Sequence, residues 1–183
     1  MPDAVLSILY VCTGNICRSP FAERYTRLLV EQGVIAPVVT HSAGIGALVG
    51  NPMDPPMARL LEPLGASHEG FGARQVVADL VTGSDLVVTM ESSQREWILE
   101  DHPTALRHTF SLGQLVRQVS DPDMAGLIGE DLLSAMGRFR SRARRQDDVP
   151  DPYRRGDAAM SEAAGLIVSA LDTILPRIAP RRA

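Results

Sequence analysis

The sequence contains no lysine, since all 18 of its basic residues are arginine. This absence excludes Schiff-base catalysis and a Walker-type phosphate-binding lysine. Cysteine is nearly absent too, because only Cys12 and Cys17 occur among 183 residues. Two cysteines and four scattered histidines are too few for a disulfide-built secreted scaffold or a structural zinc site. We therefore expect no metal and no cofactor.

Long apolar runs are also missing. No stretch approaches the roughly 20 apolar residues of a membrane span, and the N-terminus lacks the pattern of a signal peptide. The 22 acidic residues exceed the basic ones by four, which argues against a broad nucleic-acid-binding face. The hydrophobic content of 45% suffices for one substantial core. We expect a single cytoplasmic domain over residues 1–183 that binds no nucleic acid and has no membrane span.

Apolar, β-branched segments alternate with helical patterns along the chain. Strands are predicted at 5–11, 38–43, 85–90 and 107–112, and helices at 18–30, 56–64, 94–99 and 158–178. This alternation indicates parallel pairing, and hence a three-layer α/β sandwich with a small sheet of about four strands. Residues 113–148 are polar and predict an irregular, elaborated connection with one helix at 131–145. Ligands of such folds bind beyond the carboxyl ends of the strands.

A short loop follows the first strand and ends at a predicted helix start. Its sequence is Cys12-Thr13-Gly14-Asn15-Ile16-Cys17-Arg18-Ser19-Pro20. Backbone N–H groups of such a loop, together with the helix dipole, form a concave site for a tetrahedral dianion. The planar guanidinium of Arg18 can bind two oxygens of the same anion. The segment therefore predicts a phosphate-binding loop after the first strand.

Cys12 is then placed beneath the bound anion. Inward N–H groups, a helix N-terminus and a guanidinium all favour the thiolate form of this side chain. A thiolate facing a phosphoryl group is a nucleophile, which indicates covalent phosphoryl transfer through a cysteinyl phosphate. Ser19 could donate its hydroxyl to the sulfur, or it could simply cap the helix.

The segment V-C-T-G-N-I-C-R-S-P at residues 11–20 resembles the signature of the low-molecular-weight protein tyrosine phosphatases. Further landmarks occur in the family's order: Ser42-Ala43-Gly44, Asn51-Pro52 with Asp54, Ala73-Arg74-Gln75, and residues 85–90. The resemblance implies that Cys12 is the nucleophile, that Arg18 clamps the phosphate, and that Asn15 and Ser19 hold the loop. The other loop residues implied to bind phosphate are Thr13, Gly14, Ile16 and Cys17. The implied substrate is a phosphotyrosine-containing protein or a small aryl phosphate.

Asp151-Pro152-Tyr153 looks like the general-acid loop of that family. A phenolate leaving group needs a proton, which a carboxylic acid opposite the nucleophile can supply. Asp121-Pro122 competes for this role, but an Asp-Pro pair is usually a turn. Tyr153 is the candidate wall of the substrate cleft, with partly buried packing as its alternative.

Some positions depart from the family pattern. Leu48 stands near the place of an aromatic wall residue, and Phe71 stands where many members have a histidine that supports the loop serine. Glu91 and Gln94 replace the usual aspartate and asparagine. One basic cluster is expected to be a solvated helix face, or else a site for an acidic partner: Arg138, Arg140, Arg142, Arg144 and Arg145.

Two other functions remain open at this point. An arsenate reductase could use the same loop with an external thiol, because no cysteine follows Cys17 to relay a disulfide. A phosphoprotein-binding module could keep the loop without turnover. For Cys17 itself the residues indicate small core packing. The family resemblance implies a second role, a reversible disulfide with Cys12 that protects the thiolate from irreversible oxidation.

Overall fold

The computed structural model describes residues 5–181. Within this range four strands and seven α-helices follow one another along the chain. The strands are β1 (Leu6–Cys12), β2 (Val38–Gly44), β3 (Leu86–Thr89) and β4 (Thr109–Ser111). The helices are α1 (Arg18–Glu31), α2 (Pro55–Arg59), α3 (Ala78–Thr82), α4 (Ser92–Asp101), α5 (Leu112–Val119), α6 (Gly129–Arg138) and α7 (Asp157–Ile178).

The strands form one parallel sheet in the order β2-β1-β3-β4. In the pairing of β1 with β2, Leu6 lies opposite Val38 and Cys12 lies opposite Gly44. The predicted four-stranded α/β fold with a loop after the first strand is therefore confirmed. Because β1 is central, its carboxyl end lies between the ends of β2 and β3, where side chains from both neighbours can reach it.

Alternate residues of β1 face two separate apolar clusters. Ile8 and Tyr10 pack with α1 and α7 on one side of the sheet. Leu9 and Val11 pack with α3 and α4 on the other side. All four side chains are fully buried. The continuous apolar run of β1 is thus explained by a strand that is covered on both faces.

The helix predicted at 56–64 is divided in the structure. Helix α2 ends at Arg59, and a 3-10 turn follows over Glu62–Leu64. Pro63 lies inside the predicted range, and a proline cannot donate the backbone hydrogen bond that a continuous α-helix requires. Gly65, at φ +86°, then turns the chain away.

The prediction that residues 113–148 form an irregular connection was wrong for much of its length. Helix α5 begins at a capping box between Ser111 and Gln114, and α6 follows after a short 3-10 turn. Helix α6 ends at Arg138 rather than at residue 145. The Gln118 side chain donates to the carbonyls of Met136 and Phe139 at 2.8 and 2.9 Å, which satisfies two carbonyls at this helix end.

The early end of α6 changes the interpretation of the arginine cluster. Arg140, Arg142, Arg144 and Arg145 all lie beyond the helix, so the cluster is not one helix face. Arg140 donates to the Leu106 carbonyl. The carbonyl of Arg142 accepts from the Arg117 guanidinium at 2.8 Å. The segment is therefore held by hydrogen bonds rather than by helix packing.

Among the described residues, helix α7 is long and apolar enough to cross a membrane by length and composition alone. In the structure its apolar side lies in the main core, where Ala163, Ile167 and Ile174 are fully buried. The helix packs against α1, α2, α5 and α6. This packing accounts for its composition as that of a core helix.

Candidate active site

Residues 13–17 form the loop between β1 and α1, and the carbonyls at its start are hydrogen-bonded to the segment that follows β2. The carbonyls of Cys12, Thr13 and Gly14 each accept at 3.0 Å from the backbone N–H groups of Ile45, Gly46 and Leu48. Within residues 5–181, no backbone N–H of residues 13–19 donates to a protein acceptor. A loop with bonded carbonyls and free N–H groups before a helix N-terminus is suited to binding an anion.

The Cys12 side chain lies at the start of this loop and is almost fully buried, with 2% of its surface exposed. Its Sγ atom is 3.0 Å from Ser19 Oγ. The Ser19 hydroxyl oxygen accepts from Asn15 Nδ2 at 2.9 Å, which leaves its own proton for the sulfur or for the Ala43 carbonyl, 3.3 Å away. Ser19 is therefore placed to stabilise a negative charge on sulfur.

Asn15 fixes the loop from within. Its backbone is left-handed, at φ +53°, a conformation that asparagine tolerates better than most residues. Its Oδ1 accepts from the Arg74 N–H at 2.9 Å, and its Nδ2 donates to Ser42 Oγ at 3.0 Å. Ser42 in turn donates to the buried carboxylate of Glu23 at 2.6 Å. A chain of buried hydrogen bonds thus runs from the sulfur to Glu23.

Phe71 stands where many family members have a histidine, so another group must support the loop serine, Ser19. Ser19 receives its hydrogen bond from Asn15, and Asn15 is held through Ser42, so the support comes from inside the loop and from β2. The Phe71 ring packs against the main core and lies 5.6 Å from the Arg24 guanidinium. Phe71 therefore has a packing role here.

Arg18 is only 1% exposed, and its guanidinium is held on two sides. One amino group pairs with Glu91 and also donates to the Val149 carbonyl at 2.8 Å. The other amino group lies 3.2 Å from Asp151 Oδ1. These contacts aim the guanidinium and bring the candidate nucleophile loop and the candidate acid to one place.

Asp151 lies on the irregular segment between a 3-10 turn at Arg145–Asp147 and α7. Its side chain is about half exposed, at 48%, so the carboxylate can turn between Arg18 and a bound substrate. Tyr153 is half-buried against the core, and its backbone N–H lies 3.3 Å from the Asp151 carboxylate. Arg154, at φ +60°, places its guanidinium 5.0 Å from the Tyr153 ring.

The competitor for the acid role, Asp121, caps a 3-10 turn by accepting from the Asp123 backbone N–H at 2.9 Å, as a turn residue does.

Glu91 is the functional contact that sequence reasoning missed. The sequence identifies it only as a replacement for the usual aspartate, yet its carboxylate pairs with Arg18. Glu91 and Gln94 form a capping box on α4, and this Glu-x-x-Gln spacing was the available signal. Gln94 also donates to Thr13 Oγ1 at 3.2 Å, so both replacement residues contact the loop.

The segment after β2 forms one side of the loop. Gly44 lies so close that a Cβ atom there would be 2.4 Å from the Thr13 carbonyl oxygen. Leu48 is 42% exposed and lies beside Gly14. Leu48 therefore puts an aliphatic side chain beside the loop, near the place where the family pattern has an aromatic wall residue.

Both cysteines are free thiols and both are buried. Cys17 immediately precedes α1, and burial raises the pKa of its thiol to about 12. The charges of Asp54, Cys12 and Asp151 act in the same direction, and Arg18 acts against them. Cys17 therefore remains a protonated thiol at neutral pH. Among residues 5–181, no group of three or more histidine, cysteine, aspartate or glutamate side chains is arranged to hold a metal ion.

Comparison with known proteins agrees with this geometry. Residues 7–126 match the family described as low molecular weight phosphotyrosine protein phosphatase. The chain is 32% identical over 174 residues to a probable low molecular weight protein-tyrosine-phosphatase, EpsP, of Ralstonia nicotianae, covering 95% of this chain and 97% of the relative. It is 30% identical over 161 residues to the low molecular weight protein-tyrosine-phosphatase Etp of Escherichia coli, covering 88% and 86%.

Solved structures show the same likeness. The tyrosine phosphatase Wzb from Escherichia coli K30, in complex with sulphate, superposes with a TM-score of 0.66 at 30% identity, covering 92% of this chain and 95% of that one. Wzb from Vibrio vulnificus, in complex with benzylphosphonate, superposes with a TM-score of 0.69 at 28% identity, covering 92% and 96%.

Proposed function

The chain belongs to the low-molecular-weight phosphotyrosine protein phosphatase family, and we propose that it hydrolyses phosphotyrosine and related aryl phosphates through a cysteinyl phosphate. The observation that carries the mechanism is one cluster: the Cys12 sulfur beside Ser19, the buried Arg18, and Asp151 at 3.2 Å from that guanidinium. The benzylphosphonate bound by a relative is an aromatic mimic of such a substrate, which supports an aryl phosphate here.

In the first step the free N–H groups of the loop and the Arg18 guanidinium bind the phosphate oxygens. The Cys12 thiolate attacks phosphorus, an S–P bond forms, and the bond from phosphorus to the ester oxygen breaks. The bound phosphate displaces the Asp151 carboxylate from Arg18, Asp151 takes up a proton from solvent beside the phosphate dianion, and it gives this proton to the leaving phenolate. The products of this step are the free phenol and the cysteinyl phosphate.

In the second step Asp151, now a carboxylate, takes a proton from water. The resulting hydroxide equivalent adds to phosphorus, the S–P bond breaks, and inorganic phosphate leaves. The Ser19 hydroxyl, 3.0 Å from the sulfur, stabilises the thiolate as it departs. The cycle ends with the Cys12 thiolate restored and with the proton from water on Asp151.

The arsenate reductase alternative is not favoured, because the named relatives are protein-tyrosine-phosphatases. The substrate of this chain is proposed to be a phosphotyrosine-containing protein, recognised through its phosphoaryl group.

The experiment is hydrolysis of 4-nitrophenyl phosphate and of phosphotyrosine by the purified protein in the presence of a chelator. We expect turnover of both, with benzylphosphonate as a competitive inhibitor. Cys12→Ser should abolish turnover while still binding inorganic phosphate, and Cys17→Ser is the matched control that should keep turnover. Activity that survives in Cys12→Ser would refute the proposed nucleophile.

A further inference from the structure

The carboxylate of Asp148 joins the acid-bearing segment to the start of α4. Its Oδ1 accepts from the backbone N–H of Ser92 at 2.7 Å, and its Oδ2 accepts from the Ser92 hydroxyl at 3.0 Å. Ser92 is the first residue of α4, where the backbone N–H has no acceptor within the helix. The next residue along the segment, Val149, donates its N–H to the Met90 carbonyl at 2.9 Å. Three hydrogen bonds thus connect residues 148–149 with the turn at 90–92.

The other long-range polar contacts of this segment pass through Arg18. That guanidinium donates to the Val149 carbonyl at 2.8 Å and pairs with Asp151 at 3.2 Å. The contact with Asp151 must change in the proposed reaction, because that amino group then binds phosphate and Asp151 turns to the leaving oxygen. Val149 also packs in the main core, and its carbonyl keeps the bond from the amino group that pairs with Glu91. Within residues 5–181, the remaining long-range polar contacts of residues 148–152 during this change are those at the turn.

The same turn also positions the phosphate clamp. Glu91 precedes Ser92 and pairs with Arg18. A single turn at the end of β3 therefore holds the clamp through Glu91 and the acid segment through Ser92. This arrangement fixes the distance between the clamp, which binds non-bridging oxygens of the phosphate, and the acid, which protonates the bridging ester oxygen.

We propose that Asp148 is a positioning residue for proton transfer, which holds Asp151 at the leaving-group oxygen by anchoring its segment to Ser92. The proposal rests on the proposed function, because only there does Asp151 donate a proton. It extends that function to a residue three positions before the acid. Asp148 touches neither the substrate nor the reacting atoms.

The two hydrogen bonds between Asp148 and Ser92 depend on the planar, two-headed side chain of Asp148 more than on its charge. Burial raises the pKa of Asp148, the hydrogen bonds from Ser92 oppose that rise, and the charges of Glu91 and Asp147 add to it. An asparagine at this position can accept from the Ser92 N–H with its oxygen and donate to the Ser92 hydroxyl with its nitrogen. Asp148→Asn should therefore keep the anchor, whereas Asp148→Ala removes it.

The test compares kcat/KM on two substrates, because this parameter covers the steps up to the cysteinyl phosphate. Phosphotyrosine releases a strongly basic phenolate that needs the proton, and 4-nitrophenyl phosphate releases a weak base that hardly does. Asp148→Ala should lower kcat/KM for phosphotyrosine by about tenfold and for 4-nitrophenyl phosphate by less than about threefold. Asp148→Asn should stay within about twofold of the wild type on both. Inhibition by inorganic phosphate should be unchanged in both variants, because Arg18 keeps its pair with Glu91.

Ser92→Ala tests the same anchor from the other side and removes only one hydroxyl. It should give a smaller loss of about threefold, again selective for phosphotyrosine. Tyr25→Phe is the matched control for general destabilisation, because it removes a hydrogen bond of 2.8 Å to Asp172. It should affect the two substrates equally.

The proposal is overturned if Asp148→Ala loses activity equally on both substrates, if it loses none, or if Asp148→Asn is as impaired as Asp148→Ala. Should Asp148→Ala not fold, an absence of substrate selectivity in Ser92→Ala overturns it. Failure of the wild type to hydrolyse either substrate would instead refute the proposed function. The two failures are therefore distinguished by the wild-type rate and by the ratio between substrates.

Discussion

Gly44→Ala should move the phosphate-binding loop, because the loop backbone lies directly against this residue. A Cβ atom at position 44 would be 2.4 Å from the Thr13 carbonyl oxygen and 3.0 Å from the Asn15 nitrogen. Ordinary contact begins near 3.4 Å, so the carbonyl would have to retreat by about 1 Å. Gly44 cannot move instead without breaking its own hydrogen bonds, since its N–H donates to Arg74 and its carbonyl accepts from Val76.

The expected cost has two parts. Inserting a methyl group into a packed site destabilises a protein by about 1–3 kcal/mol, which corresponds here to a fall in Tm of roughly 3–9 °C. A displacement of about 1 Å in groups that bind the reacting phosphate can lower the rate by about a hundredfold. The catalytic loss should therefore be much larger than the loss of stability alone would produce.

The assay is kcat/KM for 4-nitrophenyl phosphate, with inhibition by inorganic phosphate and a thermal melt on the same protein. Gly46→Ala is the matched control, because a Cβ atom there meets nothing within 4 Å, and it should behave as the wild type. Gly44→Ala with normal phosphate inhibition and activity within about threefold of the wild type would refute the reasoning.

Two further outcomes follow from the buried groups around the loop. Ser42→Ala removes the hydroxyl that donates to the buried Glu23 carboxylate, so the free energy of unfolding in urea should fall by about 1.5–3 kcal/mol. Ser67→Ala removes only an exposed hydrogen bond from the Glu69 N–H and should cost about 0.5 kcal/mol or less; equal losses in the two variants would contradict this. Iodoacetate at pH 7 should not alkylate the native Cys12→Ser protein, because burial keeps Cys17 a protonated thiol. Unfolding this variant in urea at higher pH should expose Cys17 to the reagent, whereas labelling of Cys17 in the native variant would contradict its assigned burial.

The local parts of the site could be predicted from the sequence. The apolar run of β1, the glycine-containing loop and the helix start of α1 are contiguous, and each depends on neighbouring residues. For that reason the segment from Cys12 to Ser19 predicts the phosphate-binding loop without reference to any tertiary contact. Asp151 was proposed from its Asp-Pro-Tyr context, and the structure places it beside Arg18 although 133 residues separate the two (151 − 18).

The contacts that orient these groups could not be predicted in the same way. Glu91 meets Arg18 across 73 residues, and Asp148 meets Ser92 across 56. Both pairs form only because β1 and β3 are neighbours and residue 149 returns to the end of β3, which is a property of the whole sheet. Periodicity carries no information on such pairs.

The predicted helix boundaries were wrong where a side chain from another part of the chain determines the end of the helix. The end of α6 at Arg138 depends on Gln118, a residue of α5 whose side chain donates hydrogen bonds to the carbonyls at that end. By contrast, the start of α5 had a local signal, because Ser111 and Gln114 have the spacing of a capping box. That start could have been identified from the sequence, whereas the end of α6 could not.

The central claim is that phosphorus is transferred to the Cys12 sulfur. The most direct measurement is acid quenching of Asp151→Asn during hydrolysis of 4-nitrophenyl phosphate, followed by mass spectrometry of the peptide that carries the phosphoryl group. In this variant the base that activates water is lost, so the intermediate should accumulate. The account predicts one phosphoryl group on Cys12 and none on Cys17. A phosphoryl group on any other residue, or turnover with no phosphoenzyme under these conditions, would contradict it.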